Sequence, residues 1–105
     1  MRRHYLDGIH VEDYGGRGKP VVFVHGLGGS AANWALVAPT VADFGRVVAL
    51  DLPGHGRSAP SKTHTLENHA AAVVSVIEHL EHGPATVVGN SMGGLVVMLV
   101  AAGRT

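Results

Sequence analysis

An α/β fold, a mostly parallel sheet flanked by helices, is what this sequence predicts, and two patterns predict it. Val21–Val24, Arg46–Leu50 and Ala85–Val88 are short apolar runs of the kind found in strands buried on both faces. Segments of helical character stand between and after them, so the order reads β-α-β-α-β-α behind an opening hairpin.

The hairpin is expected over Tyr5–Tyr14, where β-branched and polar residues surround Asp7-Gly8, a good two-residue turn. Gly15 to Pro20 is a flexible connector into the first buried strand. A glycine-rich turn follows at Gly26–Ser30, and Ala31 to about Thr40 reads as a short helix. The second buried strand ends at Asp51. After Pro60 comes the clearest helix, with Leu66, Ala70, Val73, Ile77 and Leu80 recurring on one face. Thr65 can cap its start, and Gly83 and Pro84 stop it. Leu95–Ala102, after the third strand, is so apolar throughout that cover is expected on most of its sides.

At 105 residues the chain is one domain at most, so residues 1–105 are read as a single unit. Formal net charge is zero, which removes any electrostatic argument for nucleic acid or an anionic membrane. The absence of cysteine excludes disulfides, thiolate metal sites and a thiol nucleophile together. Met1-Arg2-Arg3 opens basic, but no apolar stretch follows as in a signal peptide. The longest apolar run, Leu95–Ala102, falls far short of the ~20 residues that span a bilayer. A cytoplasmic location is the resulting expectation.

Three segments carry chemistry. Gly89-Asn90-Ser91-Met92-Gly93 matches G-x-S-x-G between a buried strand and a helix, the setting a nucleophile elbow requires. Such a tight turn needs small neighbours, hence Gly89, Gly93 and Gly94, and it presents the Ser91 hydroxyl above the sheet. It also aims the first N–H groups of the helix at the place where an oxyanion would form. The second segment is His25-Gly26-Leu27-Gly28-Gly29, in which His25 reads as a hydrogen-bonding anchor of its loop rather than a proton-transfer group. The third is Asp51-Leu52-Pro53-Gly54-His55-Gly56-Arg57-Ser58. Its Asp51 could cap, pair with Arg57 or bind a ribose hydroxyl, and loop stabilisation is the favoured reading.

Standing in this order, the three motifs resemble those of the α/β-hydrolase fold family, over essentially the whole chain. The resemblance implies a serine hydrolase acting on a small ester or related acyl substrate, with no cofactor. Ser91 would attack the carbonyl while the backbone N–H groups of Leu27 and Met92 bind the oxyanion. His25, Gly26, Gly89 and Gly93 would support them, and Trp34 sits where many members carry a tryptophan, as possible pocket lining. Asn90 resembles members that hydrolyse carbon–carbon bonds, although esterases carry it too. Serine rather than aspartate at position 91 argues against haloalkane dehalogenase and epoxide hydrolase chemistry.

The family's order is nucleophile, acid, histidine. The fourteen residues after Ser91 hold no Asp, Glu or His, so the acid, the base, the lid and further strands are expected to lie outside this sequence. The fold class expected is therefore the N-terminal part of an α/β hydrolase, inactive alone and needing a C-terminal portion to complete the site. An upstream histidine, His25 or His55, is a remote substitute for the base.

Two other classes compete. Gly26-x-Gly28-x-x-Ala31 with Asp51 approximates a Rossmann-type dinucleotide fingerprint, but that reading leaves the elbow unexplained. A non-catalytic relative serving as a binding domain would have no need of Ser91. A P-loop fails, because Gly18-Lys19 runs into Pro20 and a strand. No metal is expected: His79 and His82 beside Glu78 and Glu81 read as a solvated helix face, and His64 and His69 add no ligand spacing.

Overall fold

The computed structural model describes residues 1–80 and 83–103. Strands β1 (Arg2–Leu6) and β2 (Ile9–Gly15) form an antiparallel hairpin. Its turn, Asp7-Gly8, has both central residues left-handed, at φ 49° and 82°, the twist that suits a two-residue hairpin. Strands β3 (Pro20–Val24), β4 (Arg46–Leu50) and β5 (Thr86–Gly89) are parallel, and β2 joins them antiparallel along β4. The sheet order is β1-β2-β4-β3-β5, which places β3 between its two parallel neighbours.

The strands alternate between two cores, as side chains of period two must. Val22, Val24, Val48 and Leu50 face helices α2 (Leu66–Leu80) and α3 (Met92–Ala101), meeting Ala70, Val73, Val76 and Val96. Phe23, Val47 and Ala49 face the other way, onto Ala31, Ala38 and Trp34. The face of α2 read from the sequence is the packed one: Ala70, Val73 and Leu80 are buried, with Leu66 and Ile77 against the same cluster. Thr65 caps this helix, its hydroxyl oxygen accepting from the Asn68 N–H at 3.1 Å. Glu81 and His82, named above beside His79, lie outside the described residues.

Two expectations need correction. The single helix over Ala31–Thr40 is instead a 3-10 turn, Ala31–Trp34, followed by a short helix α1, Ala38–Val41. Pro39 is the reason: it has no N–H to offer the Ala35 carbonyl, so a continuous helix cannot run through Ala35–Pro39. Cover for α3 is also incomplete among the described residues, with only Gly93 and Val96 buried and Met98 67% exposed. No helix among the described residues is long and apolar enough to cross a membrane.

The tightest packing lies where β5 turns into α3. A Cβ on Gly93 would come within 2.6 Å of the His25 carbonyl oxygen, and closer still to that of Val24. Both obstacles are backbone of β3 and its loop, so neither can swing away. Gly28 has nothing within 4 Å of such a Cβ and is constrained only by its φ of +75°. Gly93→Ala should therefore destabilise the chain by about 3 kcal/mol, the upper end of overpacking costs. Gly28→Ala should cost about 1 kcal/mol, the usual penalty of a left-handed Cβ. Urea denaturation of the two variants ranks them, and an equal loss would contradict the packing argument.

Candidate active site

The carboxyl ends of β3, β4 and β5 bring three loops together. Ser91 caps the N-terminus of α3 with φ 57° and ψ −120°, a backbone conformation disfavoured for any residue with a Cβ. The surrounding hydrogen bonds over-determine it. The Asn90 N–H donates to the Val24 carbonyl at 3.2 Å, the Gly93 N–H to that of Asn90 and the Gly94 N–H to that of Ser91, both at 2.9 Å. A Cβ on Gly89 would stand 2.7 Å from the Gly94 nitrogen and closer to the Gly93 carbonyl, so the turn closes only around glycine.

Ser91 is exposed and opens on a recess lined by Gly26, Leu27, Gly28, Gly29, Asn33 and Asn90. Gly26 lies directly against the serine, since its Cβ would sit 3.2 Å from the Ser91 Cβ. The backbone N–H groups of Leu27 and Met92 donate to no carbonyl or side chain among the described residues. They are thus free to bind an acceptor. Leu27 itself is 78% exposed at the rim.

His25 is fully buried, and both ring nitrogens are spent. Nδ1–H donates to the Gly26 carbonyl at 2.6 Å, and Nε2 accepts the Leu52 N–H at 2.9 Å. Burial holds its pKa below the usual imidazole value, outweighing the opposing pull of the Gly26 carbonyl. This neutral ring ties the β3 loop to the β4 loop and has no nitrogen left for Ser91. His55 Nδ1–H donates to the Pro53 carbonyl at 3.1 Å. No imidazole among the described residues is bonded to the Ser91 hydroxyl.

Asp51 is buried and holds three donors from three segments at once. One carboxylate oxygen accepts the Ala31 N–H at 2.6 Å. The other accepts the Arg57 N–H at 2.9 Å and His10 Nδ1–H at 2.8 Å. Burial alone would raise its pKa, but these donors outweigh that and hold it below the usual carboxylate value. Its partner in Arg57 is the backbone, not the guanidinium.

Two contributions escaped the sequence reading. Asn33 accepts the Ser30 N–H through its side chain at 2.9 Å, while the Ser30 hydroxyl accepts from Ala32, which braces the loop at the recess. The Ser30-x-x-Asn33 spacing is that of a capping box and was a usable signal. His10, fifteen residues before the first motif, gave none. Trp34, expected as possible pocket lining, stacks on Phe23 at 4.7 Å against the second core and is not among the residues around this recess. Aromatic area next to a buried strand goes into the core first. Among the described residues no group of three potential metal ligands occurs.

A family model described as alpha/beta hydrolase fold matches residues 19–103. An uncharacterized hydrolase, YugF of Bacillus subtilis (strain 168), is 39% identical over 106 residues, which is 96% of this chain and 39% of that protein. The dihydrolipoyllysine-residue acetyltransferase component of an acetoin cleaving system from Pseudomonas putida is 44% identical over 85 residues, covering 80% of this chain and 23% of that one. Among solved structures, the N-acyl homoserine lactonase AidH, complexed with N-butanoyl homoserine, superposes with a TM-score of 0.88 at 31% identity. That match covers 97% of this chain and 40% of the lactonase. The chain thus spans well under half the length of these relatives.

Asp51→Ala would leave three donors without an acceptor, two of them in buried hydrogen bonds. It should destabilise the chain by about 3–5 kcal/mol, the usual consequence of removing one partner of a buried charged network. Because the Asp51 pKa is lowered on folding, its contribution is present above the ordinary carboxylate value of 3.8 and is lost as pH falls through the folded pKa. Denaturant midpoints at pH 7 and pH 3 check both statements: the gap between wild type and Asp51→Ala should narrow at the lower pH.

Proposed function

The chain belongs to the alpha/beta hydrolase fold family, and on that premise we propose that it carries the nucleophile and oxyanion hole of a serine hydrolase that cleaves an ester or related acyl bond. The observation that carries the proposal is Ser91. It is an exposed hydroxyl on a strained strand-to-helix turn, beside a recess with free N–H donors. Strain at such a residue persists only where surrounding structure enforces it, and functional sites are where it concentrates.

In this reading Ser91 Oγ attacks the substrate carbonyl carbon as its proton passes to a base. The resulting oxyanion lies between the N–H groups of Leu27 and Met92. Collapse of the tetrahedral species expels the leaving group and leaves an acyl-serine, which water then hydrolyses. A donor of this kind contributes about 2.7–4 kcal/mol to transition-state stabilisation. The base and its orienting acid follow the nucleophile in the family's order and lie outside these 105 residues. His25 cannot substitute, because both its nitrogens are occupied.

A hydroxyl nucleophile and two amide donors suit attack on a carbonyl, and a similar solved structure is that of an N-acyl homoserine lactonase. A small-molecule acyl substrate, with no cofactor, fits a recess built from backbone and two carboxamides, Asn33 and Asn90.

The test is a chimera in which this chain replaces the matching N-terminal part of the YugF hydrolase. It should react with a fluorophosphonate at Ser91 and hydrolyse a p-nitrophenyl ester, while the 105-residue chain alone reacts far more slowly. Ser91→Ala in the chimera should abolish labelling and lower kcat by about 10⁴-fold or more, the scale of nucleophile deletions. A folded chimera whose esterase activity survives Ser91→Ala would remove Ser91 from the chemistry.

A further inference from the structure

Behind the oxyanion loop, three imidazoles are packed in a row that the proposed chemistry does not use. His25 and His55 have ring centroids 5.0 Å apart, and His55 and His69 are 5.7 Å apart, edge to face. His25 belongs to the β3 loop, His55 to the β4 loop and His69 to α2, so the row spans three elements. His69 is buried, and its Nδ1 has no hydrogen-bond partner among the described residues. His64 stands at the end of the row, with its Cε1 3.6 Å from where a Gly54 Cβ would be.

We propose that His25 and His69, packed on either side of His55, form an acid-sensitive latch, which holds the oxyanion loop against the β4 loop only while His25 and His69 are neutral. The loop's identity as the oxyanion loop rests on the functional reading above; the latch itself does not.

The argument begins with His25 Nε2. It must carry a lone pair to accept the Leu52 N–H, and a proton there turns that hydrogen bond into a donor facing a donor. The neighbouring rings add to this penalty, because a charge on any one of them repels charge on the next. Among the described residues, Asp51 is the carboxylate that draws His25 toward protonation, but its oxygens are already engaged by Ala31, Arg57 and His10. For His69 the facing groups are His55, His25 and His64, all of one sign when charged.

Burial lowers the pKa of both His25 and His69 in the folded chain. The closed form therefore binds fewer protons than the open one below the ordinary imidazole value of 6.5, and falling pH favours opening. Opening would release Gly26 and Leu52 from each other and let the Leu27 N–H drift from its place beside Ser91.

Trp34, the single tryptophan, lies in the 3-10 turn that continues this loop and reports on it by fluorescence. In the 105-residue chain its emission should change in one step below pH 6.5, before far-UV circular dichroism reports loss of helix, with an uptake of about two protons. The ring protons of His25 and His69 should titrate with that same midpoint by NMR. His69→Gln should lower the midpoint and reduce the slope to about one proton. The proposal is overturned by three results: His25 and His69 titrating at separate midpoints, Trp34 responding only together with helix loss, or an unchanged slope in His69→Gln. Should that variant not fold, the coincidence of the wild-type titrations decides. None of these readouts needs turnover, so the latch and the hydrolase assignment fail separately.

Discussion

The buried carboxylate of Asp51 is the interaction on which the polar end of this molecule depends. It ends β4, and its acceptors reach back to β2 through His10, forward to Arg57 and across to Ala31. Ser58 completes the knot, donating to the Asp51 carbonyl at 2.6 Å while accepting the His10 N–H at 2.8 Å. A charged group taken out of water is tolerable only with its oxygens filled, and here they are. The consequence is mechanical. The β3 loop is fixed at one end by Val24 in the sheet and by its first residue, His25, on Leu52, and at the other end by Ala31 on Asp51. Leu27 has little freedom in where its N–H points.

At the elbow the same end is set by the opposite means, close contact of backbone rather than charge. Gly89, Gly93 and Gly26 each lack a side chain where one would strike a neighbouring backbone atom. The left-handed conformation at Ser91 costs on the order of 1–3 kcal/mol, and it is repaid by packing and hydrogen bonds on both sides. A serine is acceptable there because only its Cβ is strained; the hydroxyl projects into the open recess.

Much of this was legible because it is local. The strands and α2 follow from runs and periods within single segments, and the elbow from five consecutive residues. The short helix after the β3 loop was misread because the break at Pro39 outweighs the good helix formers before it. The packing of Trp34 was not legible for another reason: it depends on Phe23 across the core, and nothing in its neighbourhood says so. His10 and the His25–His55–His69 row were invisible on the same ground. Their partners are 41, 30 and 14 residues away in sequence, and no spacing rule connects them.

The sheet order explains how the proposed nucleophile, Ser91, and the proposed oxyanion donors come together within so short a stretch. β3 and β5 are adjacent and parallel, so their carboxyl ends sit side by side, and the loop leaving one meets the turn leaving the other. Leu27 and Met92 then supply N–H groups from neighbouring strands without any side chain having to be placed. Backbone donors come with the fold; an imidazole and a carboxylate do not, since each must be carried to the serine by its own element. The free face of α3, with Leu95 and Met98 exposed beside the unpaired side of β5, lies on the flank where further strands of a longer α/β sheet would add.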